Sequence, residues 1–184
     1  VSVISLGGMV VTSSIRIGGN AFDESIIKYI RSEHNLVIGQ QTAEKLKIEI
    51  GNAMAEKNVD GDKIRKVEIK GNDAITGLPR RLEVDSVEVR EALKEPVNKI
   101  VDEIKRVFQV TPPELAADII ERGIVMAGGG SMLKGLKDLI KDKTGVPVLL
   151  VEKPLESVAK GAGEAFELFR EMSSSRSVYE NLND

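Results

Sequence analysis

The stretch Gly123-Ile-Val-Met-Ala-Gly-Gly-Gly-Ser-Met-Leu-Lys-Gly-Leu136 is the strongest indication of a fold in this chain. Residues 124–127 are apolar and predict a buried strand, after which three glycines predict a turn that can adopt positive φ. A helix is predicted to begin near Ser131, a preferred N-cap residue. Because helix N-termini carry unpaired N–H groups, this unit predicts a ligand site, although strand–glycine–helix connections that bind nothing are also common.

Composition excludes several functional classes. The chain has 184 residues, of which 41% are hydrophobic and 30% charged, with a net charge of −3, so no basic field favours nucleic acid. There is no cysteine and His34 is the only histidine, which excludes thiolate and multi-histidine metal sites. No apolar run approaches the roughly 18 residues of a membrane span. We therefore expect no nucleic-acid partner, no metal site in this chain and no membrane-spanning helix.

The order of predicted elements indicates α/β structure at both ends of the chain, with an insert between them. The predicted elements are a strand hairpin (1–17), helices (21–31 and 42–55), a hairpin with a wide loop (66–85), a long helix (86–108), a further helix (112–122), the glycine stretch, a strand (146–151) and a last helix (157–172). A ligand in such a fold is expected in the crevice beyond the strand ends, where the insert could close over it.

Local signals predict where several helices begin or break. Asn20 is a good N-cap for the first helix, and Thr111-Pro-Pro-Glu114 predicts a capping box with Thr111 as N-cap. Pro96 is predicted to kink or break the long helix. His34 is expected near a helix end in a solvated or capping role.

Glu44 and Lys47 are three residues apart and share one helix face. Most such pairs are solvated ion pairs, so spacing alone does not establish a ligand role.

Known phosphate motifs fit the glycine stretch poorly. A Walker A loop fails because Leu136-Lys137 stands where Lys-Ser/Thr is needed. A dinucleotide fingerprint fits at Gly128 and Gly130, with Glu152 as the ribose-binding acid, but its third glycine position is Leu133.

In combination, these segments resemble the second half of the actin–Hsp70–sugar kinase superfamily, and most closely the bacterial actin homologues of the MreB/Mbl family. The matching segments, in the family's order, are the turn and helix at 17–23, the Glu-x-x-Lys helix at 42–51, the Thr-Gly-Leu-Pro-Arg hairpin at 76–80, the adenosine motif at 124–132 and the small-residue helix at 154–163. The resemblance spans nearly all of residues 1–172.

The resemblance implies an α/β, actin-like ATPase (ribonuclease H-like) fold, of which this chain is the second domain only. Residues 1–38 and 85–172 would form the subdomain IIA-like core, 39–84 the inserted IIB-like helix and hairpin, and 173–184 a flexible tail. The family's phosphate-2 loop would precede Val1, and its phosphate-1 loop and catalytic groups would belong to a first half. We therefore expect a piece of a longer protein that does not hydrolyse ATP by itself.

The resemblance also implies a nucleotide site for ATP or ADP with Mg²⁺, in which the metal is held mainly by the missing half. No catalytic or metal-binding residue is expected in this chain. The implied nucleotide contacts are Gly128, Gly129 and Gly130 at the adenosine and α-phosphate, Ser131 and Met132 beside the adenine, and Glu44 and Lys47 at the ribose and base.

The function implied is the nucleotide-binding half of an ATP-dependent, filament-forming cytoskeletal protein that maintains bacterial rod shape. Its expected location is cytoplasmic, at the inner face of the membrane, with membrane contact only through the missing half. Expected partners are further copies, forming protofilaments, and a RodZ-like adaptor on the IIA surface. The alternatives are the ATPase domain of an Hsp70-like chaperone or a sugar kinase, and a nicotinamide dinucleotide-binding domain based on Glu152.

Overall fold

The structure, a computed structural model, describes residues 1–55 and 64–180, and side chains as far as Arg170. Seven strands, six α-helices and one 3₁₀ helix are formed by this described part of the chain. In order they are β1 (Ser2–Ser5), β2 (Gly8–Thr12), α1 (Gly19–His34), β3 (Leu36–Val37), α2 (Gln40–Ile50), β4 (Lys66–Asp73), β5 (Pro79–Asp85), α3 (Ser86–Val110), α4 (Pro113–Arg122), β6 (Ile124–Met126), the 3₁₀ helix (Gly129–Met132), α5 (Leu136–Thr144), β7 (Val148–Leu150) and α6 (Ser157–Glu180).

The strands form three small sheets. The hairpin β1–β2 is antiparallel, β3, β4 and β5 form an antiparallel sheet in that order, and β6 and β7 are parallel. The predicted opening hairpin is confirmed, but its second strand ends at Thr12 and not at Ile17. A cavity of about 530 Å³ lies between β1 and β6 and is lined by residues of both strands. The hairpin therefore does not continue the β6–β7 sheet.

Helix α1 is central to the hydrophobic core. Its predicted apolar stripe is confirmed at Phe22, Ile26 and Ile30, all of which are buried, while Ile27 is only partly buried at the edge. This face packs on α2 and α3. Burying an apolar side chain of this size contributes about 1.5–3 kcal/mol to stability, so α1 holds the other two helices in place.

Helix α3 runs without interruption from Ser86 to Val110, so the predicted break at Pro96 is wrong. Its N-terminus carries a capping box that the sequence reading missed, in which Asp85 accepts from the Glu88 N–H at 2.9 Å and the Glu88 carboxylate accepts from the Asp85 N–H at 2.9 Å. Apolar side chains are buried on both sides of Pro96, including Leu93 and Val97. This burial offsets the roughly 3 kcal/mol that an internal proline costs a helix.

Two of the predicted N-caps are wrong. Helix α1 begins at Gly19 with Gly18 as N-cap, so Asn20 lies inside its first turn. Helix α4 begins after Pro112, while the Thr111 hydroxyl donates backwards to the Val107 carbonyl at 2.7 Å. A threonine between two helices can either cap the second helix or donate to a carbonyl of the first. Thr111 donates to the first helix.

The loop between β4 and β5 is organised by the Asp73 carboxylate. Its Oδ1 accepts from the Ile75 N–H at 3.0 Å, the Thr76 N–H at 2.9 Å and the Thr76 hydroxyl at 3.1 Å. Gly77 follows at a φ of +73°, which favours glycine. The Thr76-Gly77 pair of the predicted hairpin motif therefore closes this loop.

Helix α6 extends beyond the predicted end at Met172, as far as Glu180. Its described part exposes large apolar side chains, among them Val158, Phe166 and Phe169. The flexible tail at 173–184 and the division into IIA-like and IIB-like parts stay predictions. The predicted insert includes residues 56–63, which lie outside the described part, and β3 pairs with β4 from just before the insert's predicted start.

Replacing Asp73 by asparagine is expected to lower the melting temperature at pH 7. The backbone N–H groups of Thr76 and Ile75 hold the pKa of the Asp73 carboxyl below its usual value. A carboxylate with a lowered folded pKa stabilises the fold above its unfolded pKa of about 3.9, and that contribution is lost as the pH falls through the folded pKa. The wild-type advantage over Asp73→Asn should therefore shrink towards about pH 3.

The measurement is thermal unfolding of both proteins at a series of pH values, with Asp118→Asn on the exposed surface of α4 as the control. A wild-type advantage that stays constant from pH 7 to the acid end of the series would contradict the role of the Asp73 charge.

Candidate functional site

The glycine turn after β6 is held by backbone contacts at its first residue. Gly128 has a φ of +82° and a ψ of 163°, and its N–H donates to the Pro154 carbonyl at 2.8 Å. Its carbonyl accepts from the Ser131 hydroxyl at 2.6 Å and from the Ser131 N–H at 3.1 Å. Ser131 is therefore not an N-cap, and its hydroxyl maintains the shape of the turn.

The predicted helix after the turn begins later than expected. A 3₁₀ helix occupies Gly129–Met132, and α5 starts only at Leu136, after Gly135 at a φ of +72°. Met132 has 53% of its surface exposed, so it is open to contact by a ligand. Two predicted site residues in this stretch therefore differ. The Ser131 hydroxyl is already hydrogen-bonded within the turn, whereas the Met132 side chain is accessible to a ligand.

The glycine turn lies against the N-terminus of α1. A Cβ on Gly130 would lie 3.6 Å from the Gly18 Cα atom and 3.7 Å from the Gly19 nitrogen. The first N–H groups of α1 have no partner within the helix, and its positive dipole end favours negative charge. No acidic side chain lies in this first turn. Two glycine-rich backbone segments and a helix N-terminus thus meet at one point.

Lys47 reaches this point from α2. Its ammonium lies 2.7 Å from Oδ1 of Asp23 and donates to the Gly19 carbonyl at 3.2 Å. The side chains of Lys47 and Asp23 are only 15% and 3% exposed. This buried oxygen of Asp23 has no hydrogen-bond partner among the described residues, so its contact with Lys47 is an ion pair. Lys47 is therefore anchored beside the glycine turn.

Glu44 does not share this environment. It is exposed on α2, and no ion pair to it is formed within the described part of the chain. The solvated Glu44–Lys47 ion pair, which was the alternative to a ligand role, is not formed among the described residues, since Lys47 pairs with Asp23. Glu44 nevertheless lies on the same helix face as Lys47, one turn earlier.

A second contact fixes the far end of α2 to the segment after the glycine turn. The Ala53 N–H donates to the Lys134 carbonyl at 2.8 Å. A Cβ on Gly135 would overlap the Asn52 side-chain oxygen, and the φ of +72° at this position also favours glycine. The C-terminal half of α2 is therefore positioned at two points, through Lys47 and through the segment that follows the helix.

The cavity between β1 and β6 is a separate feature. Gly18, Gly130 and Ser131 reach its wall, but it is otherwise lined mainly by apolar side chains such as Ile104, and neither Glu44 nor Lys47 is part of it. Its apolar lining does not suit a phosphorylated ligand. The polar groups at Gly19 and Lys47 lie outside this lining.

Neither a metal-binding cluster nor a membrane-spanning helix is formed by the described residues. They contain no cluster of three or more histidine, aspartate or glutamate side chains that could hold a metal ion. None of the described helices is long and apolar enough to cross a membrane.

His34 is partly buried and its ring lies 2.6 Å from the Glu88 carboxylate. It therefore joins α1 to α3 and is not simply solvated.

The residues that support Lys47 were not predicted from the sequence. The sequence placed Gly18, Gly19 and Asp23 only within the turn and helix at 17–23, without a contact to Lys47. A signal for Asp23 does exist, because it adjoins Phe22 in the buried stripe and a buried carboxylate needs a charge partner. The identity of that partner was not readable, since Lys47 is in another helix.

The family described as MreB/Mbl protein matches this chain over residues 1–174. The cell shape-determining protein MreB of Escherichia coli K12 is 46% identical over 168 residues, which are 91% of this chain and 47% of that protein. The cell shape-determining protein Mbl of Bacillus subtilis is 44% identical over 163 residues, or 89% and 47% of the two chains. The chain spans about half the length of these relatives.

Solved structures agree with the sequence matches. The crystal structure of MreB5 of Spiroplasma citri bound to AMPPNP superposes with a TM-score of 0.86 at 35% identity, covering 95% of this chain and 51% of that one. The MamK double helical filament superposes with a TM-score of 0.57 at 25% identity, covering 74% and 40%. The fold is therefore part of an actin-like fold, as the resemblance predicted.

Alanine substitutions at Gly128 and Gly130 should have different effects on stability. Gly128 combines positive φ with extended ψ, a conformation that costs other residues about 1–3 kcal/mol. Gly130 has no positive φ, and its added Cβ would make only ordinary contacts from 3.6 Å. Gly128→Ala should lower the free energy of unfolding by about 1–3 kcal/mol, and Gly130→Ala by less than about 0.5 kcal/mol.

Urea unfolding of the two variants and the wild type measures this difference. Equal losses for both variants would show that the backbone conformation of Gly128 does not stabilise the turn.

Proposed function

Because the chain belongs to the MreB/Mbl protein family, we propose that it is the adenosine-binding half of an actin-like, ATP-dependent filament protein that maintains cell shape. The observation that carries this proposal is the convergence of three features: the turn at Gly128–Gly130, the α1 N-terminus at Gly18–Gly19, and Lys47 on α2. The nucleotide-bound MreB5 structures, with AMPPNP and with ADP, support it through their similarity to this chain.

The residues at this point suit a nucleotide. The backbone at Gly128 is open, since a Cβ there would have no neighbour within 4 Å. In the proposed arrangement, Gly128, Gly129 and Gly130 lie against the adenosine and α-phosphate, with Ser131 and Met132 beside the adenine. Lys47 donates to the ribose, and the exposed Glu44 accepts from it. The helix N-terminus adds N–H groups of a kind that bind anions.

A magnesium ion is not assigned to residues of this chain. The described part brings no three acidic or histidine side chains together. We propose that the ion accompanying ATP is held by the remainder of the protein, and we derive no step of hydrolysis from this chain.

Self-association is the partner interaction that the comparisons support best. MamK, whose filament structure shares this fold, assembles into a double helical filament. We propose that the complete protein likewise forms protofilaments. A RodZ-like adaptor on the IIA-like surface, and a position at the inner face of the membrane through the other half, belong to the same proposal.

The alternatives have less support. The family match over residues 1–174 favours the cytoskeletal branch over an Hsp70-like chaperone or a sugar kinase of the same superfamily. A nicotinamide site based on Glu152 lacks the third glycine of its fingerprint, since Leu133 occupies that position.

Replacing Glu44 by glutamine in the complete protein is expected to weaken ATP binding about 10-fold or more. A hydrogen bond to a charged group contributes about 1.5–3 kcal/mol, and the neutral amide accepts more weakly. Glu49→Gln, on a different face of α2, is the matched control and should bind as the wild type does. Calorimetric titration with ATP provides both affinities.

A complementary measurement locates the ligand. Titration of the isotope-labelled chain with ATP should perturb backbone signals at Gly128–Met132 together with Glu44 and Lys47. Perturbations by NAD centred on Glu152, without any at Glu44, would contradict the proposed function and support the dinucleotide alternative.

The purified chain alone is expected not to hydrolyse ATP. Phosphoryl transfer depends on groups that position the phosphates, the metal and the attacking water, and we assign none of these to residues 1–184. Phosphate release from ATP is compared with a buffer blank and with the complete protein. Turnover by the chain above the blank would overturn this assignment.

A further inference from the structure

We propose that Asp23 is a positioning residue for Lys47, and that it directs this lysine to a neutral sugar hydroxyl rather than to phosphate. The inference rests on the proposed nucleotide site. Asp23 is not among the predicted site residues, and its role implies selectivity for ligands that carry a sugar hydroxyl.

The geometry places Asp23 under the lysine. Asp23 lies on the buried face of α1, next to Phe22 and one turn before Ile26, and its side chain is 3% exposed. Its Oδ1 lies 2.7 Å from the Lys47 ammonium. A carboxylate at such a position is costly unless a cation compensates it, so the pair fixes where the otherwise flexible lysine head lies.

The donors of Lys47 can be counted. An ammonium has three N–H groups. One of them donates to the Gly19 carbonyl at 3.2 Å, and the Asp23 carboxylate faces the ammonium as an ion-pair partner at 2.7 Å without a hydrogen bond. The ammonium makes no other hydrogen bond within the described part of the chain, and the side chain retains 15% exposure. An N–H group therefore remains for a ligand, held beside Gly19, whose nitrogen lies close to Gly130.

The charge of the pair selects the acceptor. A free lysine attracts phosphate as a point charge, but here the carboxylate at 2.7 Å compensates that charge. A phosphate brought to Lys47 would also face the Asp23 anion. A hydroxyl meets no such repulsion and accepts an N–H of the ammonium that makes no other hydrogen bond. The pair is thus suited to a ribose hydroxyl, and a buried donor of this kind disfavours analogues that lack the hydroxyl.

The test compares ATP, 2′-deoxy-ATP and 3′-deoxy-ATP, each with Mg²⁺, as ligands of the complete protein. The readout is the hydroxyl preference, meaning the larger of the two ratios of deoxy-analogue to ATP dissociation constants. The wild type should show a preference of about 10-fold or more. Asp23→Asn should reduce it to about threefold or less, because the lysine is no longer fixed. Glu24→Gln, at the adjacent exposed position of α1, should keep the wild-type value.

A double variant keeps the test decisive if Asp23→Asn does not fold. Asp23→Asn combined with Lys47→Met removes both charges, so neither is left buried without a partner, and it should also lose the preference. Retention of the wild-type preference by either folded variant would overturn the role of Asp23, as would a wild type that binds ATP without any preference. A wild type that binds none of the three nucleotides would instead refute the proposed function itself.

Discussion

The structure depends on the buried face of α1. Phe22, Ile26 and Ile30 are almost completely excluded from solvent, and through them α1 packs on both α2 and α3. Any polar group on that face must find a partner inside the protein, because water does not reach it. Asp23 is such a group, and its partner Lys47 comes from α2. The same burial that stabilises the core therefore determines where the lysine of the candidate site lies.

Much of this arrangement was predictable because its signals are local. The apolar stripe of α1 and the strand–glycine–helix order around Gly128 depend on residues close in sequence, and both are present in the structure. The segments 42–51, 76–80 and 124–132 are also short, yet in combination they indicate one family, and the matches over residues 1–174 confirm that interpretation. Local pattern thus predicted the fold class and the regions where functional residues lie.

The errors arose where a local signal has a competing partner, either a nearby carbonyl or a residue of another element. Ser131 and Thr111 are good N-cap residues, but each donates its hydroxyl to a preceding carbonyl, of Gly128 and Val107 respectively. Pro96 disfavours a helix locally, but the buried face of α3 maintains it. The Lys47–Asp23 pair joins two helices, so spacing within α2 could not distinguish it from a pair with Glu44. For Pro96 and Lys47 the competing contacts become known only from the three-dimensional packing.

The candidate site does not include the elements that expose the most apolar surface. Lys47, Asp23 and the glycine turn are positioned by α1 and α2, whose inward faces are buried in the core. In contrast, β1–β2 exposes large apolar side chains such as Ile4 and Met9, as does the described part of α6. Because the polar contacts of the site do not pass through the hairpin or α6, the geometry around Lys47 is set by the α1–α2 contact. The cavity joins the two regions, because its wall includes β1 residues together with Gly18, Gly130 and Ser131.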